Sequence, residues 1–145
     1  MRPAAVLLAL SFACAACGAV ETTRPVDVEP GTPFALHAGE TARLSGRALL
    51  VGFEGVEADS RCPRGEQCIV AGSAVVRVWW QWHGQPRERR ELHSAMGGLQ
   101  AARIGDFDLT LTAIEPPPVA GKPIDKSTYV ATFLLGRSTP GDADR

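Results

Sequence analysis

Two cysteines in the middle of the chain are the residues whose type and spacing most directly suggest chemistry. Cys62 and Cys68 are separated by five residues that include Pro63 and Gly65, which favour a tight reversal of the backbone. This spacing differs from the Cys-x-x-Cys pattern of redox-active pairs. A zinc site would need two further ligands, and the three histidines are scattered along the chain. In an oxidising compartment, the pair is therefore expected to form a structural disulfide.

The N-terminus indicates that the chain reaches such a compartment. Arg2 precedes an uncharged apolar run from Ala4 to Ala16, and Cys17 follows the small residues that end this run. A positive charge, an apolar core and small residues in this order are typical of an export signal. The apolar core is shorter than the roughly 20 residues that cross a bilayer, so a retained membrane helix is the less favoured interpretation.

The small residues before Cys17, with Gly18 after it, resemble the lipobox of bacterial lipoproteins, although Cys14 stands where that pattern usually has Leu. The resemblance implies cleavage after Ala16 and a diacylglycerol on the Cys17 sulfur. Acyl chains such as palmitate would retain the protein, because each buried methylene contributes about 0.8 kcal/mol. Lipidation of Cys14, or an unlipidated secretory peptide cut after Ala16 or Ala19, is the alternative. The residue after Cys17 is not Asp, which implies the outer membrane, facing the periplasm, if the host has two membranes.

Length and charge limit the number of domains and the kinds of partner. Removing residues 1–16 from the 145-residue chain leaves 129 residues, enough for one domain with a hydrophobic core. The chain has 15 basic and 16 acidic side chains, and loss of Arg2 with the signal gives a net charge of −2, so no basic excess is available for nucleic acid. The predicted organisation is a signal at 1–16, a lipidated N-terminus and tether at 17–33, a domain at 34–136 and a disordered tail at 137–145.

Short runs in which apolar and polar residues alternate dominate the domain, and a period of two is the pattern of β-strands. The clearest run, 72–82, places Trp80 and Trp82 on the core face and Trp79 on the opposite face. The sequence predicts an all-β domain of about seven strands, either a β-sandwich or a small barrel. A helical turn or loop is predicted at 94–102, and the strands are predicted at 34–37 and 41–45, which form a hairpin, and at 48–57, 72–82, 87–93 at an edge, 107–113 and 129–135.

Two groups of residues are candidates for binding. If Trp80 and Trp82 face the core, Trp79 is the exposed tryptophan, and its flat ring could contact a sugar or a protein. The reversal between the paired cysteines would present Arg64 and Glu66 on a rigid loop, and pre-organised loops bind with a small loss of ordering entropy. Core packing and turn formation are the structural alternatives for these two groups.

The stretch Asp59-Ser60-Arg61-Cys62-Pro63, followed by Cys68 and Ala71-Gly72, resembles a family of small uncharacterised bacterial lipoproteins with a D-S-R-C-P…C…A-G core. The similarity extends from residue 34 to residue 135, with Val70 where an aromatic residue is expected. It implies export, lipidation and an all-β domain, and it brings no catalytic role. In a structural interpretation of the motif, Asp59 and Ser60 bond the backbone of a turn and Arg61 reaches Glu54 or Glu57.

Other residues could support catalysis or bind a metal, but no motif assembles them. His83, His93 and Ser94 flank a charged strand without a Gly-x-Ser-x-Gly elbow or an evident oxyanion site. We therefore expect neither a metal nor a cofactor. Four carboxylates near the paired cysteines match no known calcium-loop spacing: Glu54, Glu57, Asp59 and Glu66.

The sequence therefore favours a lipid-anchored, non-enzymatic module of the cell envelope that binds or stabilises an envelope protein or a glycan. A small envelope hydrolase with an unrecognised site is the catalytic alternative. A protease-inhibitor-like domain that presents a rigid loop is a third interpretation.

Overall fold

Nine β-strands form the part of the chain that a computed structural model describes, residues 24–95 and 100–138. The predicted signal and Cys17 lie outside these residues. A 3₁₀ turn, Lys126–Thr128, precedes the last strand. The strands are Val26–Val28 (β1), Phe34–His37 (β2), Thr41–Leu44 (β3), Leu49–Asp59 (β4), Ala74–Trp82 (β5), Glu88–His93 (β6), Ala101–Ile104 (β7), Phe107–Glu115 (β8) and Val130–Arg137 (β9).

The strands form two sheets that pack as a β-sandwich. The five-stranded sheet has the order β1-β3-β4-β5-β6 and the four-stranded sheet has the order β2-β9-β8-β7. The predicted sandwich is thus confirmed, and the barrel alternative is wrong, because the two sheets do not close on each other. β1 and β7, which the sequence analysis missed, are edge strands of three and four residues, too short for a clear alternating pattern. β1 lies within the predicted tether, and β7 begins in the last two residues of the helical turn or loop predicted at 94–102.

The core lies between the two sheets and follows the predicted alternation in the long strands. Phe53 of β4 and Phe133 of β9 are fully buried, and their ring centroids are 6.0 Å apart with the rings tilted by 65°. This edge-to-face contact joins the two sheets and adds to the stabilisation from area burial. Leu49 and Val51 share the buried face of β4 with Phe53, as predicted.

The predicted hairpin between residues 34 and 45 is wrong. Phe34–His37 pairs with β9, whereas Thr41–Leu44 pairs with β4 in the other sheet, so the turn at Gly39 connects the two layers. Leu36 and Ala42 are both fully buried, but they face the core from opposite sheets. A strand–turn–strand pattern looks the same in a hairpin and in a connection between sheets, since both bury every second residue.

An irregularity in β8 reverses its alternation near the end of the strand. The register with β9 shifts between Leu111 and Ala113, which adds a residue on the β8 side. As a result Ile114 is buried and Ala113 is exposed, the opposite of the period-two expectation for Ala113. The bulge brings the backbone that follows Ile114 towards the β4–β5 connection.

Candidate functional site

The connection between β4 and β5, residues 60–73, contains the paired cysteines and lies at one end of the sandwich. We call this segment the disulfide loop. Cys62 and Cys68 form the predicted disulfide, with their Cα atoms 5.9 Å apart. The bond closes a short reversal of the backbone. In this reversal Gly65 has a φ of 86°, a conformation that glycine adopts without strain.

An ion pair stands at the base of the disulfide loop. Arg61 donates from Nε and Nη2 to the two carboxylate oxygens of Asp59 at 2.9 and 2.7 Å, and its backbone N–H donates to Oδ1 at 3.1 Å. The two side chains are only 15% and 10% exposed. The prediction that Arg61 reaches Glu54 or Glu57 is wrong, because Arg77 of β5 takes both of those carboxylates on the solvent face. Arg61 instead folds back along its own turn.

The same pair fastens the disulfide loop to the opposite sheet. Arg61 Nη1 donates to the carbonyl of Ile114 at 2.7 Å, and its Nη2 donates to the carbonyl of Pro116 at 2.7 Å. The hydroxyl of Tyr129, just before β9, donates to Asp59 Oδ2 at 2.9 Å. These three bonds cross from the five-stranded to the four-stranded sheet. We call Asp59, Arg61, Ile114, Pro116 and Tyr129 the clasp.

The pKa values of Asp59 and Tyr129 in the clasp are shifted in the directions expected of a structural site. Burial alone would raise the pKa of Asp59, but hydrogen bonds from the Arg61 side chain and backbone and from Tyr129 hold this pKa below its usual value. Burial raises the pKa of Tyr129, and the hydrogen bond to the Asp59 carboxylate raises it further. Both groups therefore keep one protonation state near neutral pH, whereas a general acid or base needs a pKa near the working pH.

Two serines and a glycine complete the base of the loop. The backbone N–H and the hydroxyl of Ser60 both donate to the carbonyl of Ser73 at 3.0 Å, and Ser73 N–H donates to the Ser60 hydroxyl at 3.1 Å. Gly72 lies directly against the carbonyl of Ser60, where a β-carbon would overlap the oxygen. The Asp-Ser-Arg part of the motif and Gly72 therefore have a structural explanation in the base of the loop.

The tip of the disulfide loop is apolar and exposed. Ile69 is fully exposed and Val70 is 77% exposed, and Val119 of the neighbouring connection is 41% exposed. The two connections are joined, because Arg64 N–H donates to the carbonyl of Pro118 at 3.0 Å and Arg64 bridges Val119. We call Ile69, Val70 and Val119 the apolar tip.

Arg64 and Glu66 are exposed on the disulfide loop, as the binding hypothesis requires. Ile69 is not among the residues that the sequence predicts for binding, and Val70 is only a departure from the D-S-R-C-P…C…A-G pattern. A signal was present, since two adjacent β-branched apolar residues stand in a segment without strand alternation.

Trp79 is not the exposed aromatic residue that the strand pattern predicts. It points to the outer face of the five-stranded sheet, yet it is only 7% exposed. Its ring covers Gly52, the residue opposite it on β4, where a β-carbon would overlap the indole. The guanidinium of Arg87 lies over the ring, 3.9 Å from its centroid. Both faces of the ring are thus covered, so Trp79 does not offer a free binding surface.

The residues considered for catalysis do not meet. His93 lies opposite Val75 at one end of the β5–β6 hairpin, and His83 follows β5 at the other end. The hydroxyl of Ser94 accepts the N–H of Ala74 at 2.9 Å, so it is part of the backbone ladder. No group of three or more histidine, cysteine or acidic side chains could hold a metal within residues 24–95 and 100–138. In the same part of the chain, no helix is long and apolar enough to cross a membrane.

An open cavity of about 330 Å³ lies at the end of the sandwich opposite the disulfide loop. Leu50 and Trp82 contribute apolar surface to it, and its ionisable lining consists of Arg43, Arg47 and His83. Arg43 is 3.8 Å from Asp27. A lining with basic groups alone lacks the carboxylate that would orient a histidine for hydrolysis.

Comparisons with protein-family models, with curated proteins and with solved structures found no match for this chain. The resemblance to small bacterial lipoproteins therefore stays a prediction.

Proposed function

We propose that the protein is a lipid-anchored, non-enzymatic module of the cell envelope that contacts another envelope component through the disulfide-bonded end of its sandwich. The anchor in this proposal is a lipid on Cys17, and the module faces the periplasm if the host has two membranes. One observation carries the assignment of the contact surface. The disulfide loop is held rigidly at its base, yet it exposes Ile69 and Val70 at its tip.

The energetics of the tip support a contact function. Burying an Ile or a Val side chain contributes about 1.5–3 kcal/mol, so a loop that could fold these side chains inwards would gain from doing so. The disulfide, the clasp and the bond from Arg64 to Pro118 restrain the loop against this rearrangement. The apolar side chains thus stay in solvent until a partner covers them.

The surroundings of the tip resemble an interface. Arg64 and Glu66 are exposed in the same loop as Ile69 and Val70, so the loop combines a small apolar group with polar neighbours. Protein interfaces commonly combine an apolar centre with a rim that stays accessible to water. An envelope protein or a glycan is the partner class considered from the sequence, and the apolar centre favours the protein over the glycan.

The two alternative functions have less support. A protease-inhibitor loop presents its backbone to the enzyme as an extended strand. Here the N–H of Arg64 already bonds Pro118, and the same residue bridges Val119, so this part of the backbone is occupied. A hydrolase would need the distant His83 and His93 to act with residues that the fold does not bring to them.

Site-specific photo-crosslinking tests the contact surface. A photoreactive amino acid replaces Val70 in the full chain, and the matched control carries it at Glu88, an exposed residue on the edge strand β6. We expect an adduct with an envelope component in living cells from position 70 and none from position 88. Equal adducts from the two positions, or none from position 70, would contradict the proposal.

Mass spectrometry of the mature protein tests the anchor separately. We expect an N-terminus at Cys17 that carries a diacylglycerol, and a C17S variant that no longer sediments with membranes. An unmodified chain that keeps Met1 would show that the export signal was misread. The crosslinking result would stand in either case, because it concerns a different part of the chain.

A further inference from the structure

We infer that the apolar tip is a second membrane contact, with Ile69 and Val70 inserted into the interface of the same bilayer that holds the lipid anchor. This inference depends on the proposed lipidation of Cys17 and specifies the component that covers the tip. Three observations carry it: the direction in which the chain enters the sandwich, the reach of the residues before β1, and the distribution of exposed apolar side chains.

β1 lies level with the start of β4, and the residues that precede it are directed towards the end at which the disulfide loop lies. β1 runs parallel to β3, and β3 runs antiparallel to β4. The start of β1 therefore points the same way as the end of β4, where Asp59 begins the clasp. Through β3, Val26 lies level with Val51 of β4.

The residues before β1 are numerous enough to place a lipid at the level of Asp59, the base of the disulfide loop. The eight steps of β4 from Val51 to Asp59 cover about 26 Å, at about 3.3 Å per residue. The nine steps from Cys17 to Val26 reach at most about 31 Å, whatever path they take. A bilayer that holds the Cys17 lipid can therefore touch the disulfide loop.

Exposed apolar side chains are concentrated at this end. Among the described residues, the large hydrophobic side chains that are exposed are Val26, Ile69, Val70 and Val119. Val26 of β1 lies level with Val51, near the opposite end, and the other three form the apolar tip. The turns at the opposite end contain Arg47, His83 and Arg87, which are exposed polar residues. A membrane contact through apolar insertion thus favours the disulfide-bonded end.

The chemistry of the tip fits a shallow insertion. Arg64 flanks the tip and Lys122 bridges Val119, and both long side chains can keep their charge among headgroups while the apolar stem lies deeper. Glu66 offsets one of these charges, so electrostatic attraction to anionic lipid is weak. We therefore expect the contact to depend on apolar burial and to change little with salt. The diacylglycerol already retains the chain at the membrane, and a second contact strengthens the attachment and orients the domain.

Fluorescence quenching by brominated lipids tests the insertion. The full, lipidated chain carries Ile69→Trp, and the matched control carries Glu88→Trp; both positions are exposed, so neither change disturbs the core. The proteins are compared in vesicles of phosphatidylethanolamine and phosphatidylglycerol with and without bromine on the acyl chains. We expect a blue shift and loss of the added fluorescence for I69W, and an unchanged signal for E88W, at low and high salt.

The outcomes separate this inference from the proposed function. A chain that carries lipid on Cys17 but shows no quenching of I69W would overturn the membrane contact and leave the anchored module intact. In the cellular experiment, an adduct from position 70 with a protein, and not with lipid, would also overturn it. The absence of lipid on Cys17 would overturn the proposed anchor and this inference together, and mass spectrometry identifies that case.

Discussion

Two arginine–carboxylate pairs with the same N–O distance lie in different environments in this molecule. Arg61 and Asp59, at the base of the disulfide loop, approach to 2.7 Å with side chains 15% and 10% exposed. Arg77 and Glu57, on the outer face of the five-stranded sheet, also approach to 2.7 Å, but their side chains are 47% and 54% exposed. The distance is the same, so the contribution to stability depends on burial and on the other partners of each group.

The partners of the two arginines differ as much as their burial. Arg61 also donates to two backbone carbonyls of the opposite layer, that of Ile114 in β8 and that of Pro116 just after it. Arg77 has a second carboxylate, Glu54, which also binds Arg89 on the neighbouring strand. The clasp therefore has no replacement for a lost member, whereas the outer-face ion pairs are redundant and solvated. Four variants can break or sharpen this comparison.

We expect the largest effect from Gly72→Ala. The new methyl group would overlap the Ser60 carbonyl, a backbone atom that cannot move without separating the base of the loop and straining the clasp. Overpacking of this kind costs about 3 kcal/mol of unfolding free energy. Urea unfolding followed by the buried Trp79 and Trp80 measures it. The matched control is Gly136→Ala, which meets no atom within 4 Å and is expected to unfold like the wild type; equal losses in both variants would contradict this account.

Asp59→Asn should have the next largest effect. It leaves the partly buried Arg61 guanidinium without its carboxylate, and we expect a loss of about 2–3 kcal/mol at pH 7, less than a fully buried pair would lose. The control is Glu57→Gln on the outer face, for which we expect the urea midpoint of the wild type. If the two variants lost the same stability, burial would not be the difference between the two regions.

The effect of Asp59→Asn should also depend on pH. The folded-state pKa of Asp59 is lowered, so its ionised form stabilises the protein at any pH above the unfolded-state value of about 3.9. This contribution is lost as the pH falls through the lower folded-state pKa. The stability difference between the wild type and D59N should therefore be constant above about pH 5 and shrink below about pH 4. A difference that grew on acidification would contradict the assignment of Asp59 as the ionised member of the clasp.

Removing the disulfide should have a smaller effect. Closing a reversal of this length stabilises the fold by about 2 kcal/mol in the chain-entropy model, so C62A/C68A should lower the unfolding free energy by that amount. Because the clasp does not include the cysteines, the double variant should still show the low-pH loss of stability that Asp59 causes. If the double variant did not show this loss of stability at low pH, the disulfide would be required to form the clasp.

The smallest effect is expected for Arg77→Ala. The residue is exposed, and its carboxylate partners are solvated, with Glu54 retaining Arg89. We expect no measurable change in the urea midpoint, and little response to salt. A loss as large as that of D59N would show that the outer-face ion pairs act as a cooperative network.

The sequence was sufficient for the main features of the fold and for part of the site. Alternation predicted the buried faces of β4 and β9, because one sheet face is dry in a sandwich. The spacing of Cys62 and Cys68 with Pro63 and Gly65 predicted the disulfide. The sequence was not sufficient to predict the burial of Trp79, because the space that holds its ring exists only where Gly52 is the cross-strand neighbour.

Local patterns in the chain thus determined which residues face the core, where the chain reverses and which cysteines pair. The tertiary structure decided that β2 pairs with β9, that Arg61 bonds carbonyls 53 and 55 residues away, and that Ile69 and Val70 stay exposed. The physical reason is that a period of two specifies the face that a strand buries but not the strand beside it. Contacts between distant residues depend on the register of both sheets, and the rigid, exposed tip is a consequence of those contacts.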